Sequence, residues 1–265
     1  MSTSIKEYGG KIPEKILRYG DKGDEVKKLQ RFLNFALEAA FRTCKYDKLK
    51  VDGIYGGKVA GAVRLWKDIN HFRRIDGVFG TRCKKVAKGY KMHPRVKAIT
   101  WAVAISRDND FSYGTGARAH HNGCYFCGTN LTSPKFAPKG SRWEKTYWCN
   151  PFIHAAYAHG AQDEDMLKAC KAKQAADMHP QSWMKFGFVK VGKAKDVPFN
   201  NLKRGDVIIA TTPNHVWMYT GRDQFVEATS QGGFGADSIH HAKGCRKKYN
   251  RYRKENSAYV MRYRI

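Results

Sequence analysis

The 265-residue chain lacks a long apolar run. Its most apolar stretch, Val96 to Ile105, is too short to cross a bilayer, which takes about 20 such residues. The start, Met1-Ser-Thr-Ser-Ile-Lys-Glu-Tyr-Gly-Gly, lacks the apolar core of a secretion signal. The chain is therefore expected to be made in the cytoplasm and to need another release route if it works outside. Seven scattered cysteines are an odd number, which with no secretion signal argues against a disulfide framework. Acidic residues are scarce as well: 23 Asp and Glu stand against 49 Lys and Arg, a formal net charge of +26. The excess is spread evenly, 22 basic against 10 acidic over residues 1–92 and 27 against 13 over the rest. Such a charge points to polyanionic surroundings, either nucleic acid or an anionic cell wall, or to a generically soluble basic surface. At 42% apolar the chain is expected to be globular, with core for one or two domains.

What is there centres on Trp148-Cys149-Asn150-Pro151-Phe152-Ile153-His154-Ala155-Ala156-Tyr157. Pro151 suits a first helical turn, the residues after it form an apolar helix, and His159-Gly160 reads as its stop. A thiol at a helix start feels the positive end of the macrodipole, which predicts a lowered pKa for Cys149. Backbone N–H groups there can also hold an oxyanion. An inert buried cysteine is the alternative. His154 and His159, five residues apart on this helix, do not share a face.

Asn214 to Ala228 contains two strand-like runs around Gly221-Arg222-Asp223, a hairpin signature. A turn centred on Gly221 sets His215 directly opposite Glu227, on one face of the sheet. A carboxylate beside an imidazole orients its ring and stabilises its charged form. Cys149 as nucleophile, His215 as base and Glu227 as orienter then make a triad. A register slip of one residue would turn Glu227 away, with Asn214 or Ser230 next in line as the third polar group.

With Leu202-Lys203-Arg204-Gly205-Asp206-Val207-Ile208-Ile209, these runs resemble the NlpC-type papain-like cell-wall peptidases over most of residues 100–265. Those proteins have Cys-Ser-Gly-Phe at the helix start, Pro-Gly-Asp before a strand, and a His-Val-Gly-Ile-Tyr-Ile-Gly strand. Here Asn150-Pro151 replaces Ser-Gly, and Glu227 stands where that pattern usually has His, a choice closer to the related CHAP amidases. The resemblance implies a papain-like α+β fold with a central antiparallel sheet and no required cofactor. It also implies that Tyr113, in Tyr113-Gly114-Thr115-Gly116, lies beside the nucleophile. Trp217 is a further substrate-binding candidate.

Towards the N-terminus, residues 1–15 read as a leader arm. Asp24 is placed to cap a helix with Val26, Leu29, Phe32 and Leu33 at helical spacing, and Lys58 to Asn70 reads as a second helix with Val59, Ala62, Val63, Trp66 and Ile69 on one side. Val51-Asp52-Gly53-Ile54-Tyr55-Gly56 and Ile75-Asp76-Gly77-Val78-Phe79-Gly80 repeat one turn-then-helix pattern. Residues 17–90 resemble the peptidoglycan-binding module of bacterial and phage lytic enzymes, a small three-helix domain. That resemblance makes Tyr55 and Trp66 candidates for stacking on wall sugars, although Trp66 on an apolar helix face also suits a core. Lys88 to Pro94 reads as the linker between a domain of residues 1–92 and one of 93–265.

His120-His121-Asn122-Gly123-Cys124-Tyr125-Phe126-Cys127 is open to two readings. Cys124, Cys127 and His121 have the spacing of half a structural zinc site, with Cys170 and His179 elsewhere in the chain. A loop with buried thiols is the simpler reading. The basic, aromatic segment Lys243 to Lys254 reads as a solvated loop before a final strand, Ala258 to Ile265. Glu164 to Ala176 reads as a helix, and Trp183 to Val191 and Val207 to Ala210 as strand regions.

Taken together, the resemblances imply a two-domain phage or prophage endolysin that cuts an amide of the peptidoglycan stem peptide. The expected partners are peptidoglycan and anionic wall polymers, with no nucleic acid. An N-acetylmuramoyl-L-alanine amidase of CHAP type is the alternative within enzymes. A non-catalytic wall-binding or nucleic-acid-binding protein is the alternative outside them.

Overall fold

The computed structural model describes residues 4–43, 45–108, 111–113, 124–127, 146–172, 174–212, 214–229 and 238–264. The chain divides into two compact units, Ser4–His93 and the chain from Pro94 to Ile265.

The first unit comprises strand β1 (Lys6–Glu7), helices α1 (Asp24–Ala36), α2 (Gly57–Ile69) and α3 (Thr81–Ala87), and strand β2 (Lys91–Met92). The helical spacing of the sequence becomes its core: Val26, Leu29, Phe32 and Leu33 of α1 and Val59, Val63, Trp66 and Ile69 of α2 are buried. Phe32 meets Trp66 edge to face, with centroids 5.3 Å apart, a geometry worth about 0.5–1.5 kcal/mol beyond its buried area. The duplicated segments adopt one local structure twice. Asp52 Oδ1 accepts from the Ile54 N–H and Asp76 Oδ1 from the Val78 N–H. Gly56 and Gly80 then precede α2 and α3 with matching extended dihedrals. Three expectations change here. The N-cap of α1 is Gly23, and Asp24 is the first helical residue. The leader arm supplies β1, which pairs with β2 inside the expected linker. Tyr8 packs its ring on Phe32 and Phe35.

The second unit is α+β. It contains α4 (Pro94–Ser106), β3 (Ser112–Tyr113), β4 (Thr146–Tyr147) and α5 (Cys149–Ala155), which runs on as a π-helix over Ala156–Ala161. Then come α6 (Glu164–Lys171), α7 (Pro180–Met184), β5 (Phe188–Lys193), β6 (Val207–Thr211), β7 (Asn214–Gly221), β8 (Gln224–Thr229), β9 (Ser238–Lys243), α8 (Cys245–Lys254) and β10 (Ala258–Tyr263). The sheet order is β4-β3-β9-β8-β7-β6-β10-β5. Among the described strands the β3–β4 pair is parallel and the rest are antiparallel. Helix α4 is buried from Lys97 to Ile105, as an all-round apolar helix must be. It packs against the π-helix, where a Cβ on Gly160 would sit 2.8 Å from both the Lys97 carbonyl oxygen and Trp101 Cβ. Among the described residues, no helix is long and apolar enough to cross a membrane.

Two turns set up the sheet face used below. Before β6, Gly205 takes φ 85, a left-handed conformation that disfavours side chains. Fully buried Asp206 beside it is held bidentately by Arg262, at 2.7 and 2.6 Å. The β7–β8 hairpin turns on Arg222 and Asp223, both at positive φ, and not on Gly221. Helix α8 replaces the expected solvated loop, with Tyr249 and Tyr252 buried. Its first turn is held by that hairpin: the Gly244 and Cys245 amides donate to the Asp223 carbonyl, and the Arg246 amide to Asp223 Oδ1.

Candidate active site

Cys149 is the first residue of α5 and is buried. The helix packs against β7 and β8. That packing brings the thiol to the backbone of Val216, which with the Asn150 backbone hydrogen-bonds to it. Burial nevertheless pushes the thiol up to about 11, and the negative charge of Glu227 adds to the rise. The lowered pKa expected from the helix terminus is therefore not found. Loss of hydration outweighs the backbone donors.

His215 is the second residue of β7. Its Nε2 lies 2.5 Å from Glu227 Oε2, and its ring stacks on Trp217 at 5.8 Å. Burial lowers its pKa below the ordinary histidine value, while the bond and charge of Glu227 oppose that shift. The pair does not form by direct opposition. Gly221 pairs with Gln224, a bulge follows at Thr220, and Tyr219 and Met218 then pair with Phe225 and Val226. Continued, that register sets Trp217 across from Glu227, with His215 on the diagonal. The bulge preserves the shared face, because without its extra residue the parity would change and Glu227 would point to the other side.

Glu227 is almost wholly buried and meets three cationic or ionisable neighbours. Besides His215, His240 Nε2 lies 3.2 Å from Oε1, and Lys248 Nζ bonds closely to Oε2. Burial would raise its carboxyl, but the bonds from His215 and His240 and the charge of Lys248 prevail and hold it well below the carboxylate range. Lys248 also lies over the Trp217 and Phe225 rings, at 5.0 and 4.7 Å. His240 and Lys248 were not singled out in the sequence. His240 faces Glu227 directly across β8–β9, so identifying that strand would have found it. Lys248 needed α8, whose buried Cys245, Tyr249 and Tyr252 keep helical spacing in a very basic run.

The other candidates fall elsewhere. Trp217 is fully buried, with its ring stacked against that of His215. Tyr55 and Trp66 are core residues, 1% and 0% exposed; Tyr55 donates its hydroxyl to the Gly77 carbonyl, so neither presents a ring for stacking on sugars. The Tyr113 backbone pairs with Tyr147, two residues before Cys149. His121 and Ser230 lie outside the described residues. Asn214 is exposed at the start of β7. His154 is structural: Nδ1 accepts from the Ala176 amide and Nε2 bonds the Met166 carbonyl. His179 caps α7. Cys124 and Cys127 gather with His159 and Cys170, all four ligand atoms lying within 4.8 Å of one another.

Residues 140–254 match the model of the NlpC/P60 family. The match takes in Cys149, His215, Glu227, His240 and Lys248, and it covers less than half of the chain. The second unit thus contains a stretch similar to the NlpC/P60 family, which supports a papain-like cysteine peptidase domain of the NlpC type there. Its helices and antiparallel sheet agree with the α+β fold expected from the sequence. Neither a curated protein nor a solved structure matches the chain. The NlpC/P60 match starts after Cys124 and Cys127 and leaves out α4 and β10.

Proposed function

We propose that this chain is a peptidoglycan hydrolase of the endolysin kind. In this reading its NlpC/P60 domain cleaves an amide of the stem peptide, and its N-terminal unit holds the wall. The observation that carries the reading is a helix-start thiol beside the His215–Val216 backbone, with His215 bonded through Nε2 to a buried carboxylate. The resting pair is a neutral thiol and a neutral imidazole, because burial acts on both. With Nε2–H donated to Glu227, Nδ1 is the atom left to take the thiol proton.

Cys149 Sγ adds to the amide carbonyl carbon as its proton passes to His215 Nδ1. Glu227 stabilises the imidazolium. Backbone N–H groups at the α5 start stabilise the oxyanion. His215 returns the proton to the amine as the C–N bond breaks, leaving a thioester. Water, deprotonated by His215, then releases the acid and restores the thiol. Cys149→Ala should abolish lysis of purified walls while wall binding persists. Normal lysis by that variant would refute the mechanism.

The carboxylate at position 227, in place of the usual histidine, favours a second choice of bond: cleavage by an N-acetylmuramoyl-L-alanine amidase of CHAP type. Mass spectrometry of wall digests separates the two, since the amidase frees the L-alanine amine and the endopeptidase cuts within the peptide. Wall binding by the N-terminal unit rests on the order of its motifs. With Tyr55 and Trp66 in the core, the proposed contact surface is a groove of about 280 Å³ bordered by Phe72, Arg73, Arg74 and Arg82. Its cations suit carboxylates and phosphates of the wall. In this reading the protein acts on the wall after release from the cell.

A further inference from the structure

We infer that Cys124, Cys127, His159 and Cys170 form a structural zinc site that fastens the helix carrying Cys149 to two neighbouring elements. The Cys124-x-x-Cys127 turn is a 3₁₀ segment closed by the Cys127 N–H donating to the Cys124 carbonyl at 3.2 Å. It brings two thiols to the imidazole of His159, on the π-helix that continues α5. Cys170, near the end of α6, supplies the third thiol. His159 Nε2 lies 3.2 Å from Cys124 Sγ and 3.3 Å from Cys127 Sγ. A tetrahedral zinc with bonds of about 2.3 Å to sulfur and about 2.0 Å to nitrogen leaves sulfur and nitrogen roughly 3.5 Å apart. The cluster is within a few tenths of an ångström of that spacing.

Three further observations support the assignment. No disulfide joins these cysteines, although they are mutually close. The buried Tyr147 hydroxyl stands 3.5 Å from Cys124 Sγ, placed to donate to a metal-bound thiolate as outer-shell partners do. His159 stacks on Trp101 at 6.0 Å and 19°, which fixes the ring with Nε2 towards the sulfurs. Three thiolates and one imidazole are a donor set that selects a soft-tolerant tetrahedral ion and disfavours magnesium or calcium. Binding would release three thiol protons to solvent and place the ion between all four groups. Cys124 and Cys127 precede the stretch matched by the NlpC/P60 family, whereas His159 and Cys170 lie within it. The ion would therefore join a segment outside the match to the helix that begins with the nucleophile.

The test is metal analysis of the full chain, grown with added zinc and purified without chelator. Elemental mass spectrometry should find about one zinc per chain in the wild type and much less in Cys127→Ser and Cys170→Ser. Cobalt-substituted wild-type protein should show the intense visible bands of a tetrahedral thiolate site, so the result stands even if a variant fails to fold. Stripping the zinc with a mercurial and chelator should lower the melting temperature by roughly 10 °C. The inference is overturned if the wild type holds no zinc, holds iron instead, or has these cysteines in a disulfide. Unchanged zinc in a folded Cys170→Ser protein would overturn it equally.

Discussion

His215 and Glu227 are joined by a 2.5 Å hydrogen bond although they are not cross-strand partners. The bulge at Thr220 keeps them on one face, and the carboxylate is shared among His215, His240 and Lys248. Its charge is therefore both the support of the imidazole and the partner of a half-buried lysine.

Replacing Glu227 by Gln keeps the shape and deletes that charge. Wall lysis should fall by roughly 10- to 10³-fold, less than for His215→Ala, where the proton carrier itself is lost. The His215 pKa should fall further below its already lowered value, because the groups that raise it are lost. NMR titration of the His215 ring checks this; an unchanged titration would remove Glu227 from the mechanism.

Lys248→Met tests the other side of the carboxylate. Lys248 lowers the His215 pKa through its charge, so its loss should move the acid limb of the pH–rate profile upward. It should also destabilise the fold by about 2–4 kcal/mol, since Glu227 would stay buried with less compensation. Denaturant melts and a pH–rate profile read the two effects separately.

The wild-type pH–rate profile should rise through a pKa below about 6.5 and then stay level through neutrality. The base must be unprotonated to take the thiol proton, and the His215 pKa is lowered by burial. No second limb from thiol ionisation should appear near pH 7, because the Cys149 pKa is raised to about 11. A second limb near pH 8, matched by the pH dependence of the Cys149 alkylation rate, would show a more acidic thiol.

Acid should weaken the fold before it reaches the carboxylates. Burial lowers the His154 pKa from 6.5 to about 4. Between those values the unfolded chain takes up a proton that the folded chain refuses, so stability is present above pH 6.5 and is lost as pH falls towards 4. The loss amounts to about 3 kcal/mol for this one residue. Melting temperature against pH should slope across that window in the wild type and slope less steeply in His154→Gln, where buried His215 still contributes.

Gly160→Ala should destabilise the second unit by about 1–3 kcal/mol, through overpacking against the α4 backbone. Thermal unfolding of the full chain measures it. Because His159 is the neighbouring residue, zinc content of this variant should fall in parallel if the metal assignment holds.

The sequence by itself determined what depends on local period and local chemistry. The spacing of Val26, Leu29, Phe32 and Leu33 and of Val59, Val63, Trp66 and Ile69 specified two helices and their buried faces. Pro151 marked the first turn after Cys149, and Gly205 and Asp206 marked the turn into β6. Tertiary structure decided what depends on distance in the chain. The shift of the turn to Arg222-Asp223 and its correction by a bulge could not be read from alternation, because alternation records parity and not pairing. The meeting of His240 and Lys248 at Glu227 required β9 and α8 to return to β8. The thiols of Cys124 and Cys127 found His159 and Cys170 because α6 packs against both the π-helix and the Tyr125–Cys127 turn. Burial raised the Cys149 pKa against the helix dipole for the same reason: hydration is lost through packing by segments far away in the chain.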